Sequence, residues 1–134
     1  MKYIILIAQF LFLTACAAAE PKIPAKLVGV WASENAVLKD DKWLVSGQAL
    51  YLAADGNGAL VGGPPPIGIN ISANFDNSKN ILSLDLLENN KVVKSSSILY
   101  DAEAKTLNVG STSPLLLKRR SEVMDSSIKS GLGL

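Results

Sequence analysis

Ser126-Ser127-Ile128-Lys129 has the Ser-x-x-Lys spacing, which lets a lysine take a serine's proton when both are held on an ordered element and the lysine is stripped of water. Here the four residues fall in a Ser- and Gly-rich stretch after the last apolar run, and the spacing reads as chance. Asp55-Gly56-Asn57-Gly58 looks like the centre of a calcium loop. With Asp55 at the third position of such a loop, Ala53 would be the first and Pro64 the twelfth, where calcium requires carboxylates. A glycine-rich hairpin turn accounts for the segment better. The chain has no His and one Cys, so it lacks both the usual base near neutral pH and a soft metal-ligand set. No catalytic residue, metal or cofactor is expected. Thirteen Lys and Arg against twelve Asp and Glu leave a formal charge of +1, which supplies no footprint for a nucleic-acid backbone.

The single cysteine lies at a telling position. Lys2 precedes an apolar run from Tyr3 to Leu13, broken only by Gln9, and the small residues Thr14 and Ala15 follow. That run is too short to span a bilayer and matches a secretory signal. Leu13-Thr14-Ala15-Cys16 resembles the lipobox of bacterial lipoproteins. The resemblance implies that residues 1–15 are a signal peptide and that the Cys16 thiol receives a diacylglycerol. An ordinary signal cleaved among Ala17 to Ala19 would instead leave no lipid. Ala17, where an Asp commonly signals inner-membrane retention, implies an outer-membrane lipoprotein of the cell envelope facing the periplasm. Without Lys2 the positive and negative side chains balance at twelve each, so acyl chains rather than a polybasic patch would hold the protein to the membrane.

The elements that position these residues read as strands. Residues 16–26 include Pro21 and Pro24 among small and charged residues, the composition of a semi-rigid lipidated linker. Residues 27–120 are expected to form the folded domain and 121–134 a flexible tail. Turn signals recur about every ten residues, at Asp40-Asp41, Asp55 to Gly58, Pro64 to Pro66, Asn77 to Asn80, Asn89-Asn90 and Ala102 to Lys105. Between Ile67 and Phe75, apolar residues alternate with Gly68, Asn70, Ser72 and Asn74, a period of two. Leu82, Leu84 and Leu86 continue the pattern. Further strands are expected at Leu27 to Ala32, Gln48 to Ala53, Ala59 to Gly62, Val92 to Tyr100, Thr106 to Gly110 and Leu115 to Lys118, whereas Val37 to Leu44 is too irregular to assign. The fold class is all-β, an antiparallel meander closing into a small, roughly eight-stranded barrel. An internal repeat agrees: Phe75-Asp76 and Tyr100-Asp101 are each followed, five residues on, by Leu, a polar residue and an aliphatic one. In each, the Asp is expected to close a turn by accepting backbone N–H bonds.

The two ends of this meander resemble the lipocalin-like small barrels. Gly29-Val30-Trp31 matches their Gly-x-Trp signature, and Lys118-Arg119-Arg120 follows the last strand, where that family has a basic residue covering the Trp. The resemblance implies that Gly29, Trp31, Arg119 and Arg120 close the barrel, through a cation over an indole worth about 0.5 to 2 kcal/mol. It also implies a carrier of a small apolar ligand such as a fatty acid.

Gly63, Pro64, Pro65, Pro66 and Ile67 exceed what a hairpin needs. Three prolines are expected to hold a polyproline II turn whose ordering entropy is lost before binding, which suits a recognition loop. Ile67, Ile69, Ile71, Leu82, Leu84 and Leu86 are large enough to fill an eight-stranded interior. Ser95 and Ser97 would leave space if they faced inward, which alternation alone does not decide. Two functions follow. One is a lipid-anchored module that engages another envelope protein through its loops, in one version as an inhibitor or immunity protein. The other is the carrier implied by the lipocalin-like ends.

Overall fold

A computed structural model describes residues 21–110 and 115–134. The chain runs through β1 (Gly29–Ser33), β2 (Val37–Lys39), β3 (Trp43–Leu52), β4 (Asn57–Gly63), β5 (Ile67–Asp76), β6 (Ile81–Glu88), β7 (Lys91–Asp101), β8 (Thr106–Val109), β9 (Leu115–Ser121) and α1 (Ser126–Leu132). From β3 to β9 each strand pairs antiparallel with the next, β9 returns to β1, and β1 also pairs with β3. Eight strands therefore close into a barrel, and β2 stands outside the ring, paired with the start of β3. The irregular Val37 to Leu44 is this short hairpin.

Alternation decides what fills the ring. Ile71 and Ala73 of β5, Leu82 and Leu84 of β6, and Ile98 and Tyr100 of β7 meet Trp31, Leu50, Leu52, Leu107 and Leu117 in one buried core. An eight-stranded ring is just wide enough for such side chains to fill it. Across the β6–β7 ladder Leu84 opposes Ser96 and Leu82 opposes Ile98, so Ser96 and Ile98 take the inner face. Ser95 and Ser97 point outward, and the Ser95 hydroxyl donates to Asp85 at 2.7 Å. They open no space inside.

The barrel has two unlike ends. At one lie the start of β1 and the turns after β3, β5 and β7, and here Asp55, Asp76 and Asp101 accept backbone N–H bonds from Asn57, from Ser78 and Lys79, and from Glu103 and Ala104, as the repeat requires. The segment before β1 crosses this closed end. Ile23 and Leu27 are wholly buried in the interior core, and the Ile23 N–H donates to the Ala54 carbonyl at 3.2 Å. Ile23, from the expected linker, is thus part of the fold, because together with Leu27 it plugs the ring. The other end, the rim, carries the turns after β4 and β6.

Outside the ring lies a second core. Val30, Ala32, Ala49, Tyr51, Ala59 and Val61 face outward from β1, β3 and β4, and they are buried beneath Leu44 and Ile128. Tyr51 anchors the hairpin: its hydroxyl donates to the Lys42 carbonyl and accepts the Leu44 N–H. The expected flexible tail is corrected here. β9 runs to Ser121, and Asp125 caps α1 by accepting the Ile128 N–H at 3.0 Å. Gly133 ends the helix in the left-handed conformation. Met124, Ile128 and Leu132, four residues apart, bring one apolar stripe onto the wall.

Candidate functional site

The proline segment sits on the rim. Gly62 pairs with Ile67, so Gly63 to Pro66 form a four-residue hairpin turn between β4 and β5. This corrects the expected polyproline II geometry: the ladder brings the two flanks of the prolines together, which an extended helix does not allow. Pro64, Pro65 and Pro66 are exposed. Ile67 is 69% exposed and Ile69 is also open, although both take the inner-face register of β5 opposite Gly62 and Leu60. They were expected to fill the interior and instead stand above it, because the core ends at Ile71. Val92 and Val93, after the β6–β7 turn, extend the same apolar rim.

Beside the proline turn, on the outer wall, α1 and the first residues of β3 enclose a groove of about 470 Å³. Trp43, Tyr51, Val61, Pro66, Asn70 and Leu132 line it. The groove exists because small residues let α1 approach: a Cβ at Gly131 would lie 2.3 Å from the Trp43 ring. Pro66 belongs to both the turn and the groove, so the two form one surface. Tyr51 is one of its lining residues, and burial pushes its phenol above the ordinary value, which keeps the hydroxyl a neutral donor to the Lys42 carbonyl. The lining mixes apolar side chains with polar groups, Asn70 among them, and such a concavity fits an apolar side chain of a partner flanked by hydrogen-bonding groups.

The expected closure residues divide between two places. Gly29 has φ of 136° and lies so close to β9 that a Cβ would be 2.0 Å from the Ser121 carbonyl oxygen, which only glycine permits. Trp31 is wholly buried at the closed end, its Nε1–H donating to the Leu27 carbonyl at 2.9 Å and its ring meeting Tyr100 edge-on at 6.2 Å. Arg119 opposes Trp31 across the β1–β9 ladder. Its guanidinium donates to the carbonyls of Ala25, at 2.6 Å, and Val28. The expected stacking on the indole is thereby replaced by a clasp on the segment before β1. Among the described residues, the cation over aromatic rings is Lys26, 5.2 Å from the Phe75 centroid and 5.4 Å from that of Tyr100. Arg120 does not close the barrel. The register shift between Val30 and Trp31 skips it, and it reaches along the outer wall to Asp41 at 3.8 Å and to the Ala36 carbonyl.

Ser126 and Lys129 do share α1, but the Lys129 ammonium is 3.4 Å from Asp55 and the Ser127 hydroxyl donates to Asp125. The lysine thus serves the docking of the helix, and Ser127 supports its N-terminal cap. Cys16 and the signal residues 1–15 lie outside the described residues. Comparisons with family models, with curated proteins and with solved structures returned no match.

Proposed function

We propose that this chain is a lipid-anchored binding module of a bacterial envelope, tethered through Cys16 to the outer membrane and facing the periplasm, that engages another envelope protein with its rim. The observation that carries the reading is the joined surface of the proline turn and the α1 groove. It combines a stiff exposed turn and open Ile67 and Ile69 side chains, at the barrel end opposite the closed end where the chain enters, with a concavity of about 470 Å³ that runs from the turn down the outer wall. Partner pockets of this kind take an apolar anchor residue, and the turn's rigidity lowers the ordering cost of association. An inhibitor or immunity protein that plugs a cell-wall-active enzyme is one form of such a module.

The filled interior favours this reading over the lipocalin-like carrier. Two variants test it. Cys16→Ser should move the protein out of the membrane fraction, and unchanged membrane partition would overturn the anchor. Replacement of Pro64, Pro65 and Pro66 by Gly and Ser should abolish recovery of a partner from solubilised membranes while leaving the melting transition in place. Saturable, stoichiometric binding of a fluorescent fatty acid that survives the loop replacement would instead favour the carrier.

A further inference from the structure

The closed end holds a second concavity, of about 590 Å³, over Trp31 and Tyr100. Lys26, Lys105, Lys118, Arg119 and Arg120 line it, against a single acid, Glu122. The fold places the lysines there by independent routes. Lys26 comes with the segment that crosses the barrel end, Lys105 with the turn after β7, and Lys118 opposes Thr106 across the β8–β9 ladder. Lys26, Lys105 and Lys118 are exposed, and among the described residues none of them makes an ion pair, whereas Lys42, Lys129 and Arg120 each have a carboxylate partner. A cationic hollow on a chain whose overall charge is +1 is a local arrangement and not a consequence of composition.

The position of the chain's entry says what faces this hollow. Cys16 precedes Pro21 by five residues, a reach of at most about 18 Å. Ile23 is fixed in the closed end by burial and by its bond to Ala54. An acyl group on Cys16 therefore holds the closed end, and not the rim, within a short span of the bilayer surface. Ten-residue β5 separates the two ends by about 30 Å of strand, more than that tether can cover in the opposite sense.

We propose that the hollow lined by Lys26, Lys105 and Lys118 seats the phosphate of an anionic phospholipid headgroup, so that the barrel stands on its closed end with the proline turn directed away from the membrane. The inference rests on the lipid anchor proposed at Cys16 for its biological setting. The phosphate brings the negative charge that the Lys105 and Lys118 ammonium groups lack, and Lys26, held over the Phe75 and Tyr100 rings, adds a third positive charge to the hollow. Juxtamembrane lysines gain affinity for an anionic surface by about fivefold each.

The test uses the full chain carrying Cys16→Ser, so that the N-terminal apolar run contributes equally to every sample. Its binding is measured on phosphatidylcholine vesicles with and without phosphatidylglycerol. The expected preference for the anionic vesicles falls about 25-fold in Lys105→Ala/Lys118→Ala. Lys91→Ala/Lys94→Ala, which removes the same charge from the rim end, keeps the preference, and thermal melts confirm that all proteins are folded. Equal losses in the two double variants would reduce the effect to net charge and overturn the proposal, as would an anionic preference that neither variant changes. Saturable binding of inorganic phosphate that needs Lys105 and Lys118, without any vesicle preference, would assign the hollow to a soluble anion and also overturn membrane docking. Failure of the anchor is distinguishable, since it appears as unchanged fractionation of Cys16→Ser in cells while the vesicle comparison still decides the docking.

Discussion

Ile128→Ala probes the outer wall on which the proposed groove depends. Ile128 is wholly buried and touches the second core formed by Val30, Ala32, Tyr51, Ala59, Val61 and Leu44. Burying such a side chain stabilises by about 1.5 to 3 kcal/mol, and truncating it to Ala costs about 2 to 4 kcal/mol once the cavity is included. What else holds α1 is modest. The Lys42–Asp125 and Lys129–Asp55 pairs lie at 3.2 and 3.4 Å, with side chains about a third to a half exposed, and solvent-screened pairs of this kind contribute little. With Ile128 truncated, only the partly buried Met124 and Leu132 and these two exposed pairs hold α1, and the helix should detach while the barrel persists. Hydrogen exchange should show the amides of α1 losing protection, Trp43 emission should shift red as Gly131 leaves its ring, and the chemical midpoint should fall by an amount equivalent to about 2 kcal/mol. A midpoint change below about 0.5 kcal/mol with α1 protection intact would refute the reasoning that this wall is a folded second layer.

Trp31→Ala should cost about 3 to 5 kcal/mol, since it empties the closed end and strands the Leu27 carbonyl, and a denaturant titration reads it directly. Acid should destabilise the fold. The Ser127 hydroxyl, the Ile128 N–H and Lys42 hold the Asp125 carboxyl at about 2, and hydrogen bonds lower Asp55 and Asp76 as well. Their stabilisation is complete above about pH 4, the range of an unfolded carboxylate, and is lost as the pH falls toward 2. Asp125→Asn should flatten the melting temperature's dependence on pH in that window. At the alkaline side the raised Tyr51 phenol contributes stability below about pH 10 that disappears above it, and Tyr51→Phe should remove that dependence.

The barrel was legible because period-two alternation in β5 and β6 and the aspartate turns are local signals that tertiary context did not override. The second layer left a signal of another kind, which the reading of single strands passed over. Val30-Trp31-Ala32 and Ala49-Leu50-Tyr51-Leu52-Ala53 are apolar on both faces, and a strand buried on both faces demands a cover. The cover itself was masked by composition. Serines and glycines around Ile128 read as a tail, yet Asp125 as cap, the four-residue spacing of Met124, Ile128 and Leu132, and Gly133 as terminator are the marks of a short helix. The groove could not be read from any segment, because its walls come from β3, β4, β5 and α1 and meet only through the β4–β5 register and the fold-back of the β2 hairpin. Arg119 and Arg120 show the same limit. A bulge between Val30 and Trp31 sets which arginine faces the closed end, and no sequence period marks it.

The central claim, that a partner is engaged at the rim and not elsewhere on the barrel, is tested most directly by site-specific photo-crosslinking in intact cells. A photoreactive residue is placed at Ile67 on the rim, at Leu132 in the groove and at Lys79 on the closed end, in the otherwise unchanged protein. The account predicts that Ile67 and Leu132 capture the same envelope protein, that Lys79 does not, and that the Pro64 to Pro66 replacement removes the adduct from both positions. Capture of that protein from Lys79 alone, or from all three positions with no effect of the proline replacement, would contradict it.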